Sequence, residues 1–256
     1  MSEVPRILII GGGVAGYPAA IRASRMGAEV TLIEKDALGG TCLNWGCIPT
    51  KALLQSASVV RTLKSAAHFG IRCHGYDVDF GAVMSRKNAV VSRLTRGVGA
   101  LLKARKINVV QGTASFLDSR TVQVRETGEK IGADAILIAT GSKPGRIRVE
   151  GIDGPDVMDS NQVLGMTSLP ASVVVIGGGV IGVEFAQFLA AMGTRVTILE
   201  LMPGLVPGVD RELASLLEKR TVMSGIEVIT GAAVKGIARS GTENVVTYTA
   251  GDKTAT

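Results

Sequence analysis

Two stretches of the chain carry the same rhythm of hydrophobic and polar positions. Residues 7–34 and 173–200 align without a gap at a constant offset of 166. Each opens on four consecutive apolar residues, Ile7-Leu8-Ile9-Ile10 and Val173-Val174-Val175-Ile176, the pattern of a strand buried on both faces. A glycine triplet and one further glycine follow: Gly11-Gly12-Gly13 with Gly16, and Gly177-Gly178-Gly179 with Gly182. Each copy then runs as a helix closed by Met-Gly, the usual stop signal, and ends in a second apolar strand whose last residue is an acid, Glu34 or Glu200. The pattern predicts two βαβ units and therefore two parallel sheets.

Between the copies, residues 48–69 and 79–106 have apolar residues at helical spacing and predict two long helices. Short β-prone runs follow at 109–110, 121–124 and 135–139, broken by Gly112, Gly128 and Gly132. The Gly/Pro-rich stretch 141–155 reads as a linker and places a domain boundary near residue 147, giving domains at 1–147 and 148–256. Beyond the second copy the pattern predicts a helix at 211–223 and strands at 227–229 and 244–249. Residues 171–192 carry a single charge, Glu184, over nearly the length of a membrane span. The glycine triplet inside that stretch makes strand, turn and helix the better reading.

Composition narrows the function classes. Glycine is 33 of 256 residues, about 13% against a usual 7%, yet there is no collagen period, and 46% hydrophobic residues exclude disorder. The surplus serves a folded chain. A net charge of +6 raises the question of nucleic acid, but the basic residues are scattered and no aromatics interleave with them as a stacking platform would require. The expected partners therefore include neither nucleic acid nor membrane. Three cysteines cannot form a disulfide framework in a chain this long, and the first six residues lack the layout of a secretory signal, which together predict a reducing, cytoplasmic setting.

Each Gly-x-Gly-x-x-Gly sits directly after a strand and at the mouth of a helix, with an acid 23 residues beyond its first glycine. That context marks a dinucleotide-binding turn. Gly11 and Gly177 permit the tight turn, Gly13 and Gly179 let backbone approach a pyrophosphate, and Gly16 and Gly182 let helix and strand pack closely. Glu34 and Glu200 are then placed to hydrogen-bond a ribose. Leu201 and Met202 follow Glu200 where an arginine would receive a 2′-phosphate, so NAD is expected rather than NADP. Residues 39–51, Gly-Gly-Thr-Cys-Leu-Asn-Trp-Gly-Cys-Ile-Pro-Thr-Lys, hold two cysteines five positions apart. A regular helix would separate them by about 7.5 Å along its axis, so a disulfide between them needs a distorted turn, which Gly46 eases. Pro49 belongs near a helix start, putting Cys47 where the helix dipole favours a negatively charged sulfur and leaving Cys42 as the more accessible one. Buried thiols and half of a zinc site are the alternatives. The remaining candidates, Cys73, His68 and His74, lack the paired spacing of zinc ligands.

These two glycine motifs, residues 17–23 after the first, the 39–51 segment and Ala139-Thr140-Gly141 together resemble the pyridine nucleotide-disulfide oxidoreductases. Within that family the sequence around the cysteines is most similar to dihydrolipoamide dehydrogenases. The resemblance implies an α/β fold of two Rossmann-like domains, each three-layered with a parallel central sheet and a β-meander. It also implies FAD on Gly11, Gly13, Gly16, Glu34, Gly40, Thr41, Ala114, Thr140, Gly141 and Ser142, and NAD on Gly177, Gly179, Gly182, Glu200 and Val234. Cys42 and Cys47 would be the redox-active disulfide, and Lys51 and Glu184 a charge pair near the flavin and nicotinamide. The activity implied is NAD-dependent oxidation of a dihydrolipoyl group carried by the acyltransferase of a 2-oxoacid dehydrogenase complex. Family members also have a C-terminal dimerisation domain supplying a His-Glu dyad. The 256 residues contain no such segment, so the chain reads as truncated, with full turnover in doubt and the homodimer expected of the longer enzyme. His68, His74 and Cys73 lack the dyad context and are expected to be non-catalytic. A glutathione or mercuric reductase-like enzyme, or a non-catalytic nucleotide-binding fragment, are the alternatives.

Overall fold

The computed structural model describes residues 4–256, so the first three residues of the N-terminal stretch read above lie outside it. Contacts divide the chain into two units, Met1–Pro49 with Lys87–Lys143, and Thr50–Arg86 with Pro144–Thr256. The last crossing, at Lys143/Pro144, falls inside the Gly/Pro-rich stretch, whose residues 141–149 have no regular structure.

In the first unit, β1 (Arg6–Ile10), α1 (Gly16–Arg25) and β2 (Glu29–Glu34) form the first repeat, followed by α2 (Gly40–Asn44) and the start of α3 (Cys47–Ser65). The greater part of α4 (Phe80–Ala104) leads into β3 (Asn108–Gln111), β4 (Ala114–Phe116), β5 (Thr121–Val124), β6 (Lys130–Gly132) and β7 (Ala135–Ile138). The sheet order is β3-β2-β1-β7, all parallel, with Ile9 level with Leu32 on one side and Leu137 on the other. The period-2 alternation of a strand assigns each residue to a face. Ile9, Val30 and Leu32 pack with Ala20 of α1 and with Val98 and Leu102 of α4, whereas Leu8, Ile10 and Ile33 pack with Val122 and Val124 of the antiparallel β4-β5-β6 meander. Three layers result: helices, parallel sheet, meander.

The second unit contains the rest of α3, a 3₁₀ turn (Ala66–Phe69), the start of α4 and α5 (Ser160–Val163). The second repeat is β8 (Ser172–Ile176), α6 (Val180–Met192) and β9 (Arg195–Glu200), followed by α7 (Arg211–Met223) and β10 (Glu227–Thr230). Its parallel sheet runs β10-β9-β8, and β11 (Ala232–Ser240), β12 (Glu243–Ala250) and β13 (Lys253–Ala255) form an antiparallel meander with a bulge between Val234 and Gly236. One core joins Val183, Ala186 and Leu189 of α6 with Val196 and Ile198 of β9, Leu53 and Ala57 of α3, and Met84 of α4. The apolar stretch at 171–192 is thereby used up as a strand and a 13-residue helix, and no helix among the described residues is long and apolar enough to cross a membrane. The strand is not buried on both faces as its apolar run predicts, because β8 pairs with β9 alone among the described residues and Val174 stays exposed.

Candidate cofactor and redox site

The two glycine turns have the same hydrogen-bond skeleton. Gly11 N donates to Ile33 O and Gly177 N to Leu199 O, both at 2.8 Å, tying each turn to the end of the neighbouring strand. Both first glycines have φ +106°, a conformation that a side chain resists. A Cβ on Gly16 would lie 1.7 Å from Gly11 O, and one on Gly182 would lie 2.1 Å from Gly177 O. The close approach demanded of the third glycine is therefore to the carbonyl of its own turn. No acid occupies the first turn of α1 or α6, and no side chain caps either helix, so the partial positive charge of each N-terminus is left for an anion. Nothing lies within 4 Å of the Cβ positions of Gly177 and Gly179, which leaves open space over the second turn for a phosphate group.

Glu34 and Glu200 are nearly buried and serve their turns directly. Glu34 Oε2 accepts from Gly12 N at 2.6 Å and Oε1 from Asp36 N at 2.8 Å; Glu200 Oε2 accepts from Gly178 N at 2.5 Å and Oε1 from Met202 N at 2.7 Å. A carboxylate has about four acceptor sites, so two backbone bonds leave capacity for a diol. Gly12 and Gly178 were not singled out by sequence reading because the motif treats the position as variable. A Cβ at Gly12 would meet Leu38 Cδ2 at 2.9 Å, and one at Gly178 would meet Leu205 Cδ2 at 2.4 Å.

The redox segment docks on the first turn. Gly39 N donates to Gly12 O at 2.8 Å, and a Cβ on Gly40 would lie 2.6 Å from Gly13 Cα, so the two backbones touch. Gly39 and Gly40, both at positive φ, start the five-residue helix α2 that carries Thr41 and Cys42. Trp45 N bonds to Thr41 O at 2.8 Å and closes α2; Gly46 then passes so near that a Cβ would stand 3.0 Å from Thr41 O. Cys47 is the first residue of α3 and Pro49 the third, where the missing N–H costs the helix nothing. Both sulfurs are thiols in this structure. Their exposure reverses the order expected from sequence: Cys42 is half-buried because α2 packs Leu43 and Cys42 against the sheet core, whereas Cys47 is exposed at the tip of α3.

Other predicted residues fall at two further places. Ala139 and Thr140 follow β7 directly over the first turn, with Ala139 O 2.2 Å from where a Gly11 Cβ would lie; Gly141 and Ser142 continue outward and are exposed. Gly112 N donates to Glu34 O at 2.8 Å, which sets Ala114, the first residue of β4, three positions beyond the end of β3. In the second unit Lys51 Nζ meets both carboxylate oxygens of Glu184, at 2.7 and 2.9 Å. Val234 lies at the bulge of β11, half-buried and opposite Tyr248. The structure thus brings Gly11, Gly13, Gly16, Glu34, Gly40 and Thr140 together, and separately Lys51 and Glu184. Cys73 is exposed, its thiol 3.6 Å from Gly75 O. Among the described residues no group of three or more His, Cys, Asp or Glu side chains could hold a metal ion. A cleft of about 860 Å³ in the second unit, lined by residues including Arg61, Gln187, Leu216 and Lys219, contains none of the predicted site residues.

Comparison with known proteins agrees with this geometry. Residues 5–256 match the family model described as pyridine nucleotide-disulphide oxidoreductase. The chain is 45% identical over 230 residues to a dihydrolipoyl dehydrogenase of Bacillus subtilis (strain 168), covering 88% of this chain and 50% of that protein. It is 39% identical over 261 residues to the dihydrolipoyl dehydrogenase of Acholeplasma laidlawii, covering 100% of this chain and 76% of that protein. Among solved structures, the Cu(II) complex of the HOCl-induced flavoprotein disulfide reductase RclA from Escherichia coli superposes with a TM-score of 0.82 at 31% identity, over 99% of this chain and 54% of that one. The chain thus spans about half the length of several relatives it matches. With the family match running over residues 5–256 and a relative 39% identical of which 76% is covered, the chain belongs to the pyridine nucleotide-disulphide oxidoreductase family.

Proposed function

We propose that this chain supplies the FAD-binding domain (residues 1–147) and the NAD-binding domain (residues 148–256) of a dihydrolipoyl dehydrogenase-type disulfide oxidoreductase. The observation that carries the reading is the contact of Gly40 with Gly13, which fastens the cysteine segment to the first phosphate-binding turn. A redox disulfide docked on a nucleotide cradle has one evident use, transfer of electrons between sulfur and that nucleotide. When bound, FAD would relay an electron pair from the dithiol and NAD would accept it as hydride. The residues that hold the first cofactor are Gly11, Gly13, Gly16, Glu34, Gly40, Thr41, Ala114 and 140–142; those that hold the second are Gly177, Gly179, Gly182, Glu200 and Val234.

A dihydrolipoyl thiolate attacks Cys42 Sγ of the oxidised pair, the less exposed of the two cysteines but the one whose attack releases Cys47 as a thiolate at a helix N-terminus, and a mixed disulfide forms. The second dihydrolipoyl thiolate then displaces Cys42, leaving an oxidised lipoyl group and the Cys42/Cys47 dithiol, so one disulfide is broken for each one formed. Cys47, at the helix start, would carry negative charge favoured by the helix dipole, and Lys51 and Glu184, which form an ion pair, would supply opposite charges near the flavin and nicotinamide when these are bound. The setting is cytoplasmic, the carrier of the dihydrolipoyl group is the acyltransferase of a 2-oxoacid dehydrogenase complex, and the longer enzyme is a homodimer.

Anaerobic reduction of the FAD-loaded chain tests the assignment. The wild type and Cys42→Ser should show a long-wavelength thiolate-to-flavin absorbance, and Cys47→Ser should lose it. Persistence of that absorbance in Cys47→Ser would refute the assignment of the flavin-facing sulfur.

A further inference from the structure

The five-residue helix α2 is too short to hold its own shape in water. Leu43 and Cys42 pack it against the core, and the side chain of Asn44, which lies two residues after Cys42 and three before Cys47, ties it to its surroundings by hydrogen bonds. Asn44 Nδ2 donates one bond to Leu38 O and one to Gly40 O, each at 3.0 Å, and Asn44 Oδ1 accepts from Thr95 Oγ1 of α4 at 3.3 Å. Both amide protons and the amide oxygen are thus used, in a half-buried position, to join the entry loop, the first turn of α2 and a separate long helix. A disulfide tolerates only a narrow range of Cα separations, about 4.4–6.8 Å, so the energy of closing Cys42 on Cys47 depends on how rigidly α2 is aimed at the start of α3.

From this arrangement we infer that Asn44 is a positioning residue that presets the dithiol for closure, with Thr95 as its anchor on α4. The inference rests on the redox-pair reading above and adds the group that tunes it. In a glutathione buffer the closure is balanced: the two protein thiols lose two electrons and two protons, and one glutathione disulfide becomes two glutathione thiols. Releasing the clamp leaves the dithiol unchanged in composition but lets α2 rotate, so the disulfide becomes less favoured.

The test is equilibration of the full chain with graded glutathione buffers, with the Cys42–Cys47 disulfide quantified by alkylation and mass spectrometry. Asn44→Ala and Thr95→Val should each lower the equilibrium constant for closure about tenfold, a potential about 30 mV less reducing. Thr95→Ser, which keeps the hydroxyl, should restore the wild-type value, a rescue that a purely structural role for the threonine methyl would not produce. Thr95→Val carries the test if Asn44→Ala fails to fold, since it is isosteric and sits on a long helix. Folded variants with wild-type closure constants overturn the clamp while leaving the redox pair standing. A wild-type chain that forms no Cys42–Cys47 disulfide in any buffer overturns the redox pair and the clamp with it.

Discussion

The two βαβ repeats share a hydrogen-bond skeleton but not a setting. In the first, β1 lies between β2 and β7; in the second, β8 pairs with β9 alone among the described residues. The consequence reaches individual side chains. Leu8 is 0% exposed, covered by the meander, whereas its counterpart Val174 is 39% exposed. Gly11 has Ala139 O against it, whereas nothing lies within 4 Å of the Cβ position of Gly177. The bonds from Glu34 and Glu200 to their turns, by contrast, agree to within 0.1 Å. The turn is therefore a self-contained device, built from the repeat and the two residues after it, and the surrounding sheet is added by sequence far away. A motif fixes its own hydrogen bonds but not how tightly its glycines are enclosed.

The largest effect that would break this comparison comes from the glycines. Gly11→Ala and Gly177→Ala face the same backbone strain, about 1–3 kcal/mol. Gly11→Ala also drives a methyl into Ala139 O, adding about 1–3 kcal/mol. Chemical denaturation of the two variants should show Gly11→Ala to be clearly the worse, and equal losses would mean that β7 does not press on the turn. Next, Leu8→Ala should cost about 2–5 kcal/mol as a core truncation, and Val174→Ala about 0.5 kcal/mol as a surface change. Similar unfolding midpoints for that pair would contradict the unequal cover of the two strands.

The smallest effect is electrostatic and belongs to the first unit. Glu126 is held below the usual carboxylate range chiefly by the backbone N–H of Thr113, Asp118 by that of Arg120, and Asp134 by that of Arg6. A carboxyl whose folded value is depressed stabilises the fold above its unfolded value, about 4, and loses that contribution as pH falls through the folded one. Acidification below about pH 4 should therefore loosen the segment from Gly112 to Ala114, read at the Thr113 amide as faster hydrogen exchange relative to an unprotected amide at the same pH. Glu126→Gln should show that faster exchange already at neutral pH; protection equal to wild type would remove Glu126 from the account.

Much of this architecture was legible because its signals are local. The repeat, the helix at 211–223 and the strand at 121–124 are set by apolar spacing within a few turns, and the structure has them at those bounds. The strand β11 was missed because Ala-Ala-Val-Lys-Gly-Ile-Ala-Arg-Ser has little strand propensity; pairing with β12 along its length supplies what the residues lack. The short α5 went unread although its signal was present, a capping box between Asp159 and Gln162. At the site, the cysteine spacing and the Pro49 position were readable. The relative exposure of the two sulfurs was not, because it depends on α2 packing against a sheet that the segment itself does not encode. The Asn44–Thr95 bond, 51 residues apart in sequence, has no local signature at all.

The pairing of β1 with β7 also has a temporal side. Arg6 and Asp134, which join the two strands' ends, are 128 residues apart. At roughly 5–20 residues per second of synthesis, the edge of β1 waits on the order of ten seconds for its partner to emerge. Over that interval the nascent chain presents an apolar strand with an open edge, an invitation to association with other nascent chains. The glycine turn and the cysteine segment docked on it are complete in sequence by residue 47, long before Ala139, which follows β7 and closes over Gly11, so the first turn is made well ahead of its cover.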